Sequence, residues 1–182
     1  MMTASTHKEY RELVEKLVRN NSATRISNGQ SAHAAILIET MFKNACSEVR
    51  IYSGELNNDV YCGDGVIHSA IEFLKKAGSS LRILLQKDHE SSSHKLLNAI
   101  ESNDDLLGDY EVRVAVGTYA TDDADHFAIM DEKGFRYEID HDKCNAIASF
   151  NEPETAQKMA TIFDFVFDHQ SVEPQHFKAK TI

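Results

Sequence analysis

Most of the side chains that could do chemistry lie between Ala124 and Asn151. His126 stands between Ala124 and Ala128 in a segment, ADHFAIMD, that reads as a strand. Alternate residues of a strand share a face, so the two alanines leave room around the imidazole. An imidazole in an open pocket serves as nucleophile, general acid or general base near neutral pH. Arg136 and Glu138 share a face of the next strand. They either hold a ligand or pair with each other, and the pairing expected is a surface ion pair of little worth. Asp131 begins the hairpin between these strands, where Asp is common as a turn residue. Ser149 and Asn151 come one strand later and could line the same cleft, although Asn151 also reads as a helix cap. His126 is therefore the catalytic candidate, and Asp131, Arg136, Glu138, Ser149 and Asn151 are the binding candidates.

Other groupings are thinner. His126, His141 and Cys144 are close in sequence, with two residues between the last pair. Zinc sites show tighter paired spacing, so neither a metal nor a cofactor is expected. His89 and His94 flank Ser91-Ser92-Ser93 and read as solvated loop. Gly63-x-Gly65 opens a helix whose N-terminus could receive a phosphate, but Asp64 between the glycines opposes an anion. The sequence contains no Gly-x-Ser-x-Gly, Walker-type loop or Cys-x-x-Cys.

The elements that must position these residues follow from periodicity. Residues 8–19 carry Tyr10, Leu13, Val14, Leu17 and Val18 at helical spacing. Residues 30–45 form a second helix, apolar on most sides and hence buried. Strands are predicted at 48–53, 81–85 and 111–116, separated by helices that begin at Gly63 and His94. That alternation implies right-handed crossovers and a parallel sheet. The second half changes character. Strands at 126–131 and 135–139 flank Glu132-Lys133-Gly134, a hairpin signal. A strand at 145–150 then leads into a long helix, with Asn151 as its cap and Glu154 completing a capping box. The layout is residues 1–29 as N-terminal helix and connector, 30–170 as one α/β domain, and 171–182 as a loose polar tail.

Bulk properties narrow the function. The 182 residues suit one domain with a substantial core. No apolar run reaches the roughly 20 residues that span a bilayer, and the N-terminus lacks the pattern of a signal peptide. Three scattered cysteines, Cys46, Cys62 and Cys144, read as free thiols in a reducing cytoplasm. The net charge is −10, and residues 101–142 alone hold thirteen acids against three bases. Nucleic-acid binding rests on Lys and Arg meeting phosphates, so this half of the chain disfavours it unless folding presents a basic cleft.

The order of elements and several phrases resemble the phospholipase D superfamily. The resemblance covers residues 30–168 and rests on EVRIYS, FLKKAGSSLRILL, the ADHFAIMD segment, and Ala148-Ser149-Phe150-Asn151 where that family carries Gly-Ser-x-Asn. It implies a mixed sheet flanked by helices. In the family a His-x-Lys-x4-Asp motif supplies a nucleophilic His and a phosphate-holding Lys. If Asp131 marks the register, Ala124 takes the His position and His126 the Lys position. If His126 is the nucleophile, Ala128 takes the Lys position and Lys133 the Asp position. Neither register completes the motif, and covalent catalysis needs both nucleophile and charge stabilisation.

The resemblance also implies a homodimer, because active single-motif members build one site from two chains. Three readings follow. The favoured one is a non-catalytic, homodimeric module that binds a protein partner or a small ligand, suited to a bacterial accessory protein of a mobile-element or antiphage system. The second is a phosphodiesterase or nuclease centred on His126, with Arg136 or a base of the partner chain in place of the missing Lys. The third is an acidic DNA mimic that blocks a basic protein. No membrane contact is expected.

Overall fold

The computed structural model describes residues 6–88, 94–121, 124–140 and 145–175. Helix α1 (His7–Arg19) opens with a capping box: the Glu9 amide donates to the Thr6 hydroxyl and the Thr6 amide to the Glu9 carboxylate. Strand β1 (Ile26–Asn28) precedes α2 (Ser31–Asn44), the all-round apolar helix. Strand β2 (Glu48–Ser53) is followed by the short α3 (Asn58–Tyr61) and by α4 (Asp64–Leu74). Then come β3 (Ser80–Leu85), α5 (Lys95–Glu101) and β4 (Asp109–Ala115). Strands β5 (Phe127–Met130), β6 (Gly134–Asp140) and β7 (Asn145–Ser149) lead into α6 (Pro153–His169) and β8 (Ser171–Val172).

These strands form one mixed sheet in the order β1-β7-β6-β5-β2-β3-β4-β8. The expected parallel unit is present as β2, β3 and β4. Strand β5 runs antiparallel to β2 and begins the β5–β6–β7 meander. Two short strands lie on either side of the 30–170 stretch: β1 pairs with β7, and β8 pairs with β4. The start of the expected loose tail is thus tied down, and the Gln175 amide also donates to Asp88 at 2.8 Å.

Helices cover both faces. One core cluster joins α1, α2, α4 and α5 to a sheet face carrying Val49, Ile51, Leu81, Ile83, Ala128 and Ala148. The other packs α6, through Ala156, Phe163, Val166 and Phe167, onto Tyr52, Leu84, Phe127, Ile129 and Phe135. Beneath α6 runs a charge network. Arg50 is buried and meets Glu48 at 2.9 Å and Asp164 at 3.0 Å. Arg82 meets the same two carboxylates and lies 5.6 Å and 5.5 Å over the rings of Phe163 and Phe167. No helix among the described residues is long and apolar enough to cross a membrane.

Several local expectations are corrected. Helix α6 is capped by Glu152 with Pro153 in its first turn, not by Asn151; proline's fixed φ and missing N–H suit that position. His94 is buried beneath Leu56, with Nε2 2.8 Å from that carbonyl, and is not solvated loop. His89 lies outside the described residues. The Glu39 carboxylate lies against Gly65: a Cβ there would sit 2.8 Å from Oε2, so the carboxylate would have to shift for any other residue. That occupied space argues against the phosphate site considered for Gly63-x-Gly65.

Asp131 does more than begin a turn. Its φ of +49° places it in the left-handed region, which Asp tolerates better than most residues. Its carboxylate accepts the backbone N–H groups of Cys46 (2.7 Å), Ser47 (2.9 Å) and Glu48 (3.0 Å), which fixes the entry to β2. Burial alone would push this carboxyl up, but the hydrogen bonds outweigh it and hold the group below its ordinary value. The stabilisation is therefore complete above the usual carboxylate range, near pH 4, and is lost as pH falls through the folded value. Asp131→Ala is expected to cost about 2–3 kcal/mol in urea unfolding. Asp131→Asn should also flatten the acid limb of the stability profile; an unchanged limb would show that the carboxylate staple contributes nothing there.

Candidate functional site

Parallel strands of an α/β sheet end in ligand-binding crevices at their carboxyl ends. His126 lies there, one residue before β5, because β5 runs against β2 and Phe127 stands opposite Tyr52. Gly54 and Gln86 follow the last residues of β2 and β3. A Cβ on Gly54 would sit 3.1 Å from His126 Cε1, so only glycine lets the imidazole lie against this backbone without displacement. Gln86 is buried and donates from Nε2 to the Ala124 carbonyl at 3.3 Å, holding the approach to β5.

The Glu138 amide donates to the His126 carbonyl at 2.9 Å, which sets the two residues opposite each other. Their side chains meet: Nδ1 of His126 is 3.2 Å from Glu138 Oε2. The other oxygen, Oε1, accepts from Arg136 Nη1 at 2.6 Å. Arg136 is 2% exposed, so the expected surface ion pair is instead a buried one. Burial would push the Glu138 carboxyl up, but His126 and Arg136 outweigh it and hold it below the usual range. From the covering helices Tyr61 and Tyr10 lie close enough to feel the Arg136 charge. Burial raises both hydroxyls, Tyr10 to about 12, and Arg136 opposes the rise.

The remaining candidates are elsewhere. Asp131 is at the far end of β5, five residues or about 16 Å along the strand from His126. Ser149 stands opposite Phe135 and shares its α6-side face, so the sheet separates it from Arg136. Asn151 donates to the Asn21 carbonyl at 2.9 Å and secures the connection after α1. His141 and Cys144 lie outside the described residues. Among those described, no cluster of three His, Cys, Asp or Glu residues could hold a metal. Sequence reasoning missed Gly54, Gln86 and Tyr61. A glycine directly after a buried strand was the one readable signal, since it often marks close approach of another group.

The architecture, a mixed eight-stranded sheet flanked by helices, is a phospholipase D-like fold. Nuc from Salmonella typhimurium, a phospholipase D family member, superposes with a TM-score of 0.56 at 10% identity, over 82% of this chain and 98% of that one. NucT from Helicobacter pylori gives 0.55 at 13% identity, over 82% and 98%. TrmBL2, an archaeal chromatin protein, gives 0.57 at 13% identity, over 90% of this chain and 60% of that one. At these identities the likeness is one of fold alone. Residues 29–179 match the family described as a domain of unknown function, DUF7931, and the chain belongs to that family. No curated protein matches it.

The buried pair yields a stability test. Glu138→Ala leaves the Arg136 charge buried without its counter-ion and should cost about 3–5 kcal/mol in urea unfolding. Arg136→Met combined with Glu138→Leu should recover most of that loss. A single variant within about 0.5 kcal/mol of the parent would mean that water, not Glu138, neutralises the guanidinium.

Proposed function

We propose that this chain keeps a phospholipase D-like fold for binding instead of hydrolysis, as a homodimeric regulatory module that engages a protein partner. One observation carries the reading. Two residues along from His126 stands a buried Ala128, and the cation beside it, Arg136, is itself buried and already engaged with Glu138. Phosphoryl transfer needs an exposed cation to hold the phosphate oxygens as well as a nucleophile. Among the described residues, the cation across from Ala128 is Arg136, and it is buried and engaged with Glu138. The charge of −10 favours a protein over a nucleic acid as partner. The homodimer, with the altered strands of two chains facing each other, is an inference from fold analogy.

A second reading is favoured by a different feature. Glu138 holds Nδ1 of His126, and a carboxylate in that place orients an imidazole so that Nε2 can act as nucleophile or base. That would make the protein a metal-independent phosphodiesterase or nuclease whose missing cation comes from a partner chain.

The test is a chromogenic phosphodiesterase assay with EDTA present, run on the parent and on His126→Ala, with mass measured by light scattering on the same preparations. The expected result is no turnover from either protein and a mass of twice the chain. Turnover abolished in His126→Ala would replace the binding reading with the hydrolytic one. A strict monomer would remove the dimer from the proposal.

A further inference from the structure

Helix α1 stands on a narrow footing. Of its 13 residues only Tyr10 and Val14 are buried. A groove of about 390 Å3, lined by Lys8, Arg11, Ala32, Ala35 and Ile36, opens between its first turns and α2. Beside this groove the Tyr10 ring stacks on the imidazole of His33 in α2, with centroids 3.9 Å apart and planes 5° from parallel. His7, also on α1, meets the same imidazole edge-on at 5.6 Å. Arg11 donates to both oxygens of Glu39 at 2.8 Å, and the Tyr10 hydroxyl donates to the Ser27 carbonyl at 3.3 Å.

His33 is the titratable member of this footing. It is 7% exposed, and its Nε2 is buried without a hydrogen-bond partner among the described residues. A neutral imidazole pays for one unmet polar atom, whereas an imidazolium there would be a buried charge in need of a counter-ion. Its neighbours supply none. From α1 it faces His7 and Tyr10, while Arg11 is engaged with Glu39. Glu39, on the same helix as His33, is held by Arg11 and Lys43. From the sheet, the charge that reaches Tyr10 is that of Arg136. Burial first, and His7 second, hold the imidazole below the ordinary histidine range.

We propose that His33 is an acid-sensitive latch for α1: the neutral imidazole seats Tyr10 and keeps the helix docked, and a proton on it loosens the helix. The inference stands whether the fold binds or hydrolyses. Its sign follows from linkage. Once α1 lifts, His33 meets water and regains an ordinary pKa of about 6.5. The latch is therefore at full strength above that pH and weakens as pH falls below it, down to the docked value. When both rings are protonated, His7 adds a like charge across the interface. A lifted α1 is short enough to melt in water, which makes its amides the reporter. Glu39 does not share this window. Burial would raise its carboxyl, but Arg11 and Lys43 outweigh burial and hold it below the usual range, so the pair persists down to about pH 4. Its Arg11 side is exposed, and such a pair holds a helix only weakly.

The experiment is amide hydrogen exchange on the full chain at pH values of about 7.5, 6.5 and 5.5, on either side of the free imidazole's range. Rates are corrected for the intrinsic pH dependence of exchange. Protection in α1 should fall about three- to tenfold between the two lower values, the upper figure being the limit for one proton over one pH unit. Protection in β3 should not fall. His33→Phe keeps a ring for Tyr10, removes a nitrogen that has no partner and cannot take a proton, so its α1 protection should stay flat with pH. Should that variant not fold, His33→Leu carries the same comparison.

Constant α1 protection in the parent overturns the proposal. So does an equal loss in the His33 variant, which would assign the effect to His7 or Glu39. Loss of protection in α1 and β3 together would mean global acid unfolding and would overturn it as well.

Discussion

A guanidinium under a sheet has to be neutralised where it lies, and the carboxyl-end site is arranged around that constraint. Arg136 is among the largest fully buried side chains of the molecule. Its counter-ion, Glu138, is two residues along the same strand, so the two side chains project from one face and meet without any further chain arrangement. Once Glu138 is committed there, its second oxygen is fixed in space and becomes the partner of His126. The orientation of the imidazole is thus a consequence of neutralising the arginine. The alanines on the neighbouring strands belong to the same arrangement, because larger side chains at 128, 146 or 148 would compete for the volume the ion pair occupies.

The opposite face handles its charges differently. Arg50 and Arg82 stand side by side on β2 and β3, where two like charges would repel. Glu48 and Asp164 each contact both guanidiniums, so carboxylates from the sheet and from α6 neutralise the pair jointly. The rings of Phe163 and Phe167 lie against Arg82, which lets the same helix supply apolar packing and charge compensation. This network ties α6 to the sheet.

Periodicity made the scaffold legible. EVRIYS and SLRILL have the short, buried character of parallel strands, and the run around Glu132-Lys133-Gly134 marked the change to antiparallel pairing. The strands at 26–28 and 171–172 were not legible, because two or three residues carry no period. They exist only because β7 and β4 offer unpaired edges. The capping role of Asn151 was misplaced by one residue: Pro153 fixes where α6 begins, and Glu152 precedes it. Within the site, the pairing of Arg136 with Glu138 was readable from their spacing, but its burial was not. An i, i+2 charge pair on a strand looks the same whether its face meets water or a layer of helices.

By itself the sequence determined the element types, the switch from crossover to hairpin topology, and the absence of a complete His-x-Lys-x4-Asp pattern. All of these rest on local periodicity and residue identity. The tertiary structure decided which candidates meet. Antiparallel pairing of β5 with β2 sends His126 to the carboxyl ends of the parallel strands and Asp131 to the opposite end. The pleat puts Ser149 on the far side of the sheet from Arg136. These outcomes depend on pairing partners and on which face the helices cover, both set by contacts between residues far apart in the chain.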